Sequence, residues 1–326
     1  VKTFLGIEIG AHLRIVAMTP ERGVIGRAEH SLPGEDPARS EALLDAVQAA
    51  IARLGDRLPP CAGGGIAVSP PDENSIDLLA TAGLFRAELP FLSSTPLLFA
   101  GVEAAALTIL YGGGAGKAWL ILGDRPRFYA EKGDFETTFE SADEKGATRR
   151  FGCRDCIAIM EPIRALRSRL GLFETLDEIE ANARLGPDSA GVRFLPRREN
   201  DRYDGVTITG IGPRIKRPQI ARAALESVAA AIRREIAEAT GEGALTELYI
   251  AGQYAHYELF VEIIADITGL TVVRTETRDA VAVAAALRAA AAAGLEPPRL
   301  ERRRFNPTMP AARRDALYAR WMVGMG

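Results

Sequence analysis

The chain has 326 residues, of which 47% are apolar and 25% charged, and its net charge is −3. That length suits two domains and the composition is that of a globular protein. The near-neutral balance supplies no global field for nucleic acid or an anionic membrane surface, and three cysteines, Cys61, Cys153 and Cys156, are too few and too odd in number for a secreted disulfide scaffold.

Residues 3–9 and 13–18 are apolar runs joined by Gly10-Ala-His12, so they read as paired strands, and a third strand over 24–30 follows the turn Pro20–Gly23. Residues 39–54 carry apolar side chains at helical spacing. Gly63–Ser69 is a short apolar run behind glycines, the pattern of a buried strand. A helix over 75–84, a strand over 96–99 and a helix over 101–110 complete the first half. Gly112-Gly-Gly-Ala-Gly116 then separates two apolar segments and marks a joint between domains 1–114 and 115–326.

The second half opens again with three strands, over 117–123, 127–130 and 135–140. A helix is predicted over 156–170, followed by an irregular stretch over 172–215 with short strands at 192–195 and 206–209. A long helix over 218–240 is stopped by Gly241. Strand 248–251, helix 255–268, strand 270–274 and helix 279–294 follow, and a last helix is predicted over 311–322. The most apolar stretch, Ala280–Leu295, is Ala-rich and broken by Arg288, so it reads as a packed helix rather than a membrane span. The N-terminal residues run into the first strand with no cleavage pattern, and a cytoplasmic protein is expected.

Three segments invite a chemical reading. In Gly6-Ile-Glu8-Ile-Gly10 an acid and bare backbone amides at a strand end can meet a polyphosphate and hold Mg²⁺, or they are an ordinary hairpin with one inward acid. Cys153-Arg-Asp-Cys156, at an expected helix start, is a redox pair, half a zinc site, or two structural cysteines. Arg302-Arg303-Arg304 with Arg313-Arg314 is a basic patch or solvated charge near the end of the chain. Two halves that each open with three strands and then alternate strand and helix form an internal repeat. That element order points to the actin, hexokinase and chaperone superfamily, because doubly wound nucleotide folds open with one strand and a crossover helix.

GIEIGAH resembles the Gly-Ile-Asp-x-Gly-Thr-Thr opening of the FGGY carbohydrate kinases, with Glu8 for the aspartate and Ala11-His12 for the hydroxyl pair that grips phosphate. Ala100–Leu107 is similar to the family's Gly-Asp-x-x-Ala-Ala-Leu segment; the family's catalytic aspartate aligns with Val102, and an acid follows as Glu103. Lys117–Asp124 is similar to the second phosphate motif, of which Gly123 survives while Asp124 stands where a hydroxyl would be. Phe194–Pro196 with Glu199–Arg202, and then Ile220–Val228, resemble the loop and the long helix after it. Leu248–His256 and Phe260–Leu270 resemble the adenosine motif and its following helix, and Glu276 with the Ala-rich helix resembles the family's final core helix. The resemblance covers 190–310 well and 1–30 and 95–125 thinly. The family's longer first domain, with its sugar-clamping loop, has no counterpart. The 2-keto-3-deoxy-galactonate kinases are similarly compact, with Gly-Glu-Glu where Gly101-Val-Glu103 stands.

The resemblance implies an α/β protein of two actin-like ATPase (ribonuclease H-like) domains around a nucleotide cleft. It implies ATP and Mg²⁺ as cofactors, with a sugar, polyol or sugar acid as the acceptor. Neither nucleic acid nor membrane is an expected partner, and a homodimer is one assembly open to it. Glu8 is the expected magnesium-organising acid and Glu103 the base, although Glu103 is one helical position, about 100°, from the family's aspartate and reads equally as a solvated acid at a helix start. Gly6, Gly10, His12, Gly123, Asp124, Gly252, Gln253 and Tyr254 are the expected nucleotide contacts. A substitution Gly252→Asp is expected to abolish any ATP-induced stabilisation with the fold intact. A non-catalytic nucleotide-sensing or scaffold protein is the alternative, and an ATP-driven activator, supported by the two cysteines alone, is a third.

Overall fold

The computed structural model describes residues 2–9, 12–31, 39–54, 61–68, 111–112, 114–123, 126–135, 137–142, 148–199, 202–295 and 300–324. The helices expected over 75–84 and 101–110 and the strand over 96–99 lie outside them. The described chain divides into two compact units. One comprises 1–113, 139–151 and 275–301; the other comprises 114–138, 152–274 and 302–326. The first break falls inside the glycine run, but the units are not the two continuous halves expected from it.

The first unit opens with β1 (Thr3–Ile9), β2 (His12–Thr19) and β3 (Gly23–Ser31), followed by α1 (Arg39–Leu54) and β4 (Cys61–Val68). The strands lie in the order β3-β2-β1-β4, with β1 antiparallel to β2 and parallel to β4. Alternation along β1 sends Leu5, Ile7 and Ile9 into a core with Leu43 and Val47 of α1. The opposite face takes a helix from far along the chain. In the register of the parallel pair Gly6 stands opposite Gly65. A Cβ at Gly6 would overlap the carbonyl oxygen of Ala282, and one at Gly65 that of Ala285. Two paired glycines thus make a groove, and an alanine-rich helix is slim enough to lie in it. This close packing is why residues 275–301 belong to the first unit.

The second unit repeats the plan. In chain order come β5 (Lys117–Ile121), β6 (Arg127–Ala130), β7 (Thr137–Ala142) and β8 (Thr148–Asp155), of which residues 139–142 and 148–151 fall in the first unit, then, after α2 (Leu176–Leu185), β9 (Arg193–Glu199) and β10 (Arg202–Thr209). There follow α3 (Arg217–Thr240), β11 (Glu247–Ala251), α4 (Glu258–Thr268), β12 (Thr271–Thr275), the groove-filling α5 (Ala280–Ala292), β13 (Arg302–Phe305) and α6 (Ala311–Val323). The main sheet runs β13-β12-β11-β5-β6-β8-β7. Here β5 is antiparallel to β6 and parallel to β11, as β1 is to β2 and β4. The duplicated, hairpin-led mixed sheet expected from the sequence is therefore present in both units. Among the described residues no helix is long and apolar enough to cross a membrane.

Three elements depart from expectation. Cys153 lies on strand β8, not at a helix start: β8 pairs with β6, and Arg127 Nε is 3.1 Å from Asp155 Oδ1 across that pair. The helical stretch begins after Cys156 and runs through 3₁₀, α and π turns over 157–169. The stretch expected to be irregular holds α2, capped by Thr175, whose Oγ1 accepts from the Glu178 amide at 3.2 Å. Arg302–Arg304 form the edge strand β13, where Arg303 pairs with Glu258 and Arg304 with Glu247. Charged side chains on an edge strand discourage pairing with a foreign strand.

Candidate nucleotide site

β5 and β11 are buried parallel strands, and the carboxyl ends of such strands are where open α/β sheets take ligands. The two ends are tied together. The Leu122 amide donates to Ala251 O at 2.7 Å, and the Tyr254 amide donates to Leu122 O at 3.1 Å. This brings Gly123 and Gly252 to neighbouring strand ends. Their glycines have different reasons. Gly252 has φ +94° and ψ 174°, a conformation open almost only to glycine, and a Cβ there would lie 2.5 Å from Leu122 O. At Gly123 a Cβ would meet nothing within 4 Å among the described residues. The bare backbone at Gly123 is therefore uncovered by the described residues, whereas Gly252 is glycine for the sake of the sheet.

One 3₁₀ turn, Gln253–His256, follows Gly252 and leads into α4. Tyr254, an expected nucleotide contact, is buried against the hydrophobic core. Gln253 stands half-buried beside it. Arg274, buried at the end of β12, donates to Ala255 O at 2.9 Å and fixes the far side of the same turn.

In the first unit Glu8 is buried on β1, opposite Arg14 on β2. Arg14 Nη1 donates to Glu8 Oε1 at 3.2 Å, while its Nη2 lies 3.2 Å from Glu29 Oε1. His12 Nδ1 is 3.8 Å from the same Glu29 oxygen. Arg27 Nε donates to Asp279 Oδ2 at 2.7 Å, just before α5. Burial works against the Arg14 charge, but Glu8, Glu29 and Asp279 outweigh it and hold the guanidinium above its ordinary pKa. Sequence reasoning missed Arg14, although its register position opposite the acid follows from the hairpin alone. Gly6, also expected at the nucleotide, has its face filled by α5, which leaves no room for a ligand on that side. Gly10, Val102, Glu103 and Asp124 lie outside the described residues.

No group of three or more His, Cys, Asp or Glu among the described residues could hold a metal ion. Glu8 alone fits magnesium of the kind that arrives with a nucleotide, since Mg²⁺ takes one or two carboxylates and completes its shell with phosphates and water. The cysteines do not fit a metal or redox role. Cys153 and Cys156 are buried and form no disulfide, and Cys156 Sγ donates to Arg154 O at 3.5 Å. Burial first, and then the charge of Glu235, pushes the Cys156 thiol well above its ordinary pKa, so it stays protonated and unreactive.

Residues 178–293, which include the Gly252 turn, match the C-terminal domain of the FGGY family of carbohydrate kinases. The glycerol kinase of Thermus brockianus is 33% identical over 267 residues, covering 73% of this chain and 53% of that protein. The glycerol kinase of an Acidovorax strain is 28% identical over 282 residues, 75% of this chain and 55% of that protein. The chain thus spans about half the length of these curated relatives. Among solved structures, Plasmodium falciparum glycerol kinase with ADP superposes with a TM-score of 0.71 over 99% of this chain and 97% of that one, at 11% identity. Xylulose kinase from Lactobacillus acidophilus superposes with a TM-score of 0.70 over 99% and 97%, at 12% identity. At such identities the superpositions show the fold, which is the two-domain actin-like one.

Proposed function

Because this chain belongs to the FGGY family of carbohydrate kinases, we propose that it binds ATP at the β5 and β11 strand ends and phosphorylates a hydroxyl of a small sugar, polyol or sugar acid. The observation that carries this reading is the Gly123–Gly252 pair, bare backbone at adjacent parallel strand ends, with no described residue within 4 Å of a Cβ at Gly123. Gly123, Gly252 and Gln253 are the proposed nucleotide contacts in the second unit. Gly10, His12 and Asp124 are proposed for the phosphates. The relatives named above act on glycerol and xylulose, so the acceptor proposed here is a polyol or sugar of that kind.

In the proposed reaction the acceptor hydroxyl oxygen forms a bond to the terminal phosphorus, the bond to the bridging oxygen breaks, and ADP departs with the electron pair. The hydroxyl proton passes to a base, for which Glu103 is proposed. Such a transfer depends mainly on positioning and charge neutralisation. Magnesium, when bound with the nucleotide, supplies part of that neutralisation. Glu8 is the acid proposed to orient it, and Arg14, which donates to Glu8 Oε1, keeps that carboxylate in place.

Turnover is tested by following ADP release with glycerol, xylulose and gluconate as acceptors. Glu8→Gln is expected to remove nearly all turnover, and Glu103→Gln to lower it about 10²–10⁴-fold with ATP affinity little changed. Unchanged rates in both variants would overturn the assignment. A second reading, nucleotide binding without transfer, draws on the Arg14–Glu8 ion pair together with Ala11-His12 and Val102 where the family keeps hydroxyls and its aspartate. Stabilisation by Mg-ATP with no ADP release from any acceptor would establish that reading instead.

A further inference from the structure

The second unit holds a recess of about 580 Å³ that shares no residue with the strand ends. Its size is that of a small-molecule site. Ser227 and Ala230 of α3 form one wall, and Leu317, Tyr318 and Trp321 of α6 another. The aromatic wall is rigid. Tyr318 and Trp321 stack with centroids 6.4 Å apart and planes 17° from parallel. Trp321 Nε1 donates to Phe194 O at 3.1 Å, so the indole's one polar group is already engaged. The Arg233 guanidinium lies over Tyr318, 4.3 Å from its centroid.

The third side is the loop 188–193 between α2 and β9, and its backbone is strained. Ala190 has φ +48° and is the one non-glycine residue with positive φ among the described residues; Gly191 follows at φ +85°. Three contacts hold the turn. Asp188 Oδ1 accepts from the Ala190 amide at 2.8 Å, the Val192 amide donates to Ser189 O at 2.9 Å, and Gly210 is pressed against Gly191 O. A conformation this unfavourable for alanine persists only where its surroundings impose it, and such positions gather at ligand sites.

Charge selects the ligand. Arg193, Arg313 and Arg320 line the recess, and none has a carboxylate partner among the described residues. Arg193 Nη1 donates instead to Arg320 O at 2.6 Å, and Arg320 Nε to Ala316 O at 3.3 Å. Of the two acids in the lining, Glu226 is paired with Arg222 at 2.9 Å and Asp188 is engaged in the turn. Free positive charge beside a flat, apolar, fixed wall suits one kind of guest. We propose that this recess binds a small organic anion, with a carboxylate or phosphate head on the arginines and a planar apolar body against Tyr318 and Trp321, apart from the nucleotide.

The test is calorimetric titration of the full chain with phenyl phosphate and with benzoate, with and without saturating Mg-ATP. At least one of the two is expected to bind saturably at a single site, and to do so equally with Mg-ATP present. The double variant Arg313→Gln, Arg320→Gln changes two exposed side chains, so the fold is retained. It should weaken binding by at least about tenfold, the loss of charge-assisted hydrogen bonds. Inorganic phosphate and phenol, each carrying one half of the recognition, should bind at least about tenfold more weakly than the aromatic anion. No saturable binding of either anion, an unchanged affinity in the double variant, or competition by Mg-ATP would overturn the proposal. Titration needs no turnover, so its outcome is independent of the kinase assay.

Discussion

Single residues separate the folding roles of the glycines from their proposed chemical ones. Gly252→Ala places a Cβ 2.5 Å from a backbone oxygen in a conformation that disfavours any side chain. It is expected to destabilise the second unit by roughly 3 kcal/mol, a fall in Tm of about 6–12 °C. Gly252→Asp is therefore expected to destabilise the second unit as well, where the sequence alone pointed to an undisturbed fold. Gly123→Ala is the cleaner probe: melting should be unchanged while stabilisation by Mg-ATP is lost. If Gly123→Ala retains the full Mg-ATP shift, the strand ends do not hold the nucleotide. Glu235 offers a pH test. Burial first, then the charge of Glu238, raises its pKa, while Arg234 and Arg154 pull it down by less. An acid with a raised folded-state pKa weakens the fold when ionised, and that penalty is relieved as pH falls through the raised value toward the ordinary carboxylate range. Glu235→Gln should thus raise Tm at pH 8, with the gain shrinking as the solution is acidified. A gain that grows on acidification would contradict this origin.

At the scale of elements, α2 shows how a short helix is set by its ends. Thr175 Oγ1 accepts from the Glu178 amide, Glu178 Oε2 accepts from the Glu174 amide at 2.9 Å, and Arg217 reaches Glu178 Oε1 at 2.8 Å. The Thr175-Leu-Asp-Glu178 pattern of a capping box was in the sequence, with Leu176, Ile179 and Ala183 as its buried face. Thr175→Ala should destabilise by about 1 kcal/mol, whereas Thr175→Ser should be nearly neutral. Equal losses from both in thermal melts would show that the hydroxyl is not the cap.

At the scale of the whole chain, one long-range contact closes the first unit. The groove at Gly6 and Gly65 is closed by α5, which arrives more than 200 residues later in the chain. Gly6→Ala is expected to force α5 off the first sheet, because the new Cβ meets helix backbone rather than a side chain that could move. Amide exchange should then quicken in β1, β4 and α5 and stay slow in β5 and β11. Uniform quickening, or none, would show that this contact does not define the first unit.

Much of the architecture was legible in the sequence because it depends on local pattern. Helical spacing over 39–54, the apolar runs of β1, β2 and β11, and Gly241 after a long helix each act within a few residues. The repeat of hairpin-led halves was legible for the same reason. The β8 strand was not: Arg149, Arg150, Arg154 and Asp155 give it a charged, loop-like sequence until pairing with β6 buries Phe151 and Cys153. The candidate site divides in the same way. Glycines and an acid at strand ends can be read off a sequence, but a glycine is silent about what occupies the space beside it. Only tertiary packing gave Gly6 to a helix and Gly252 to Leu122 while leaving Gly123 clear of the described residues, because those neighbours are distant in the chain and meet only once the sheets have formed.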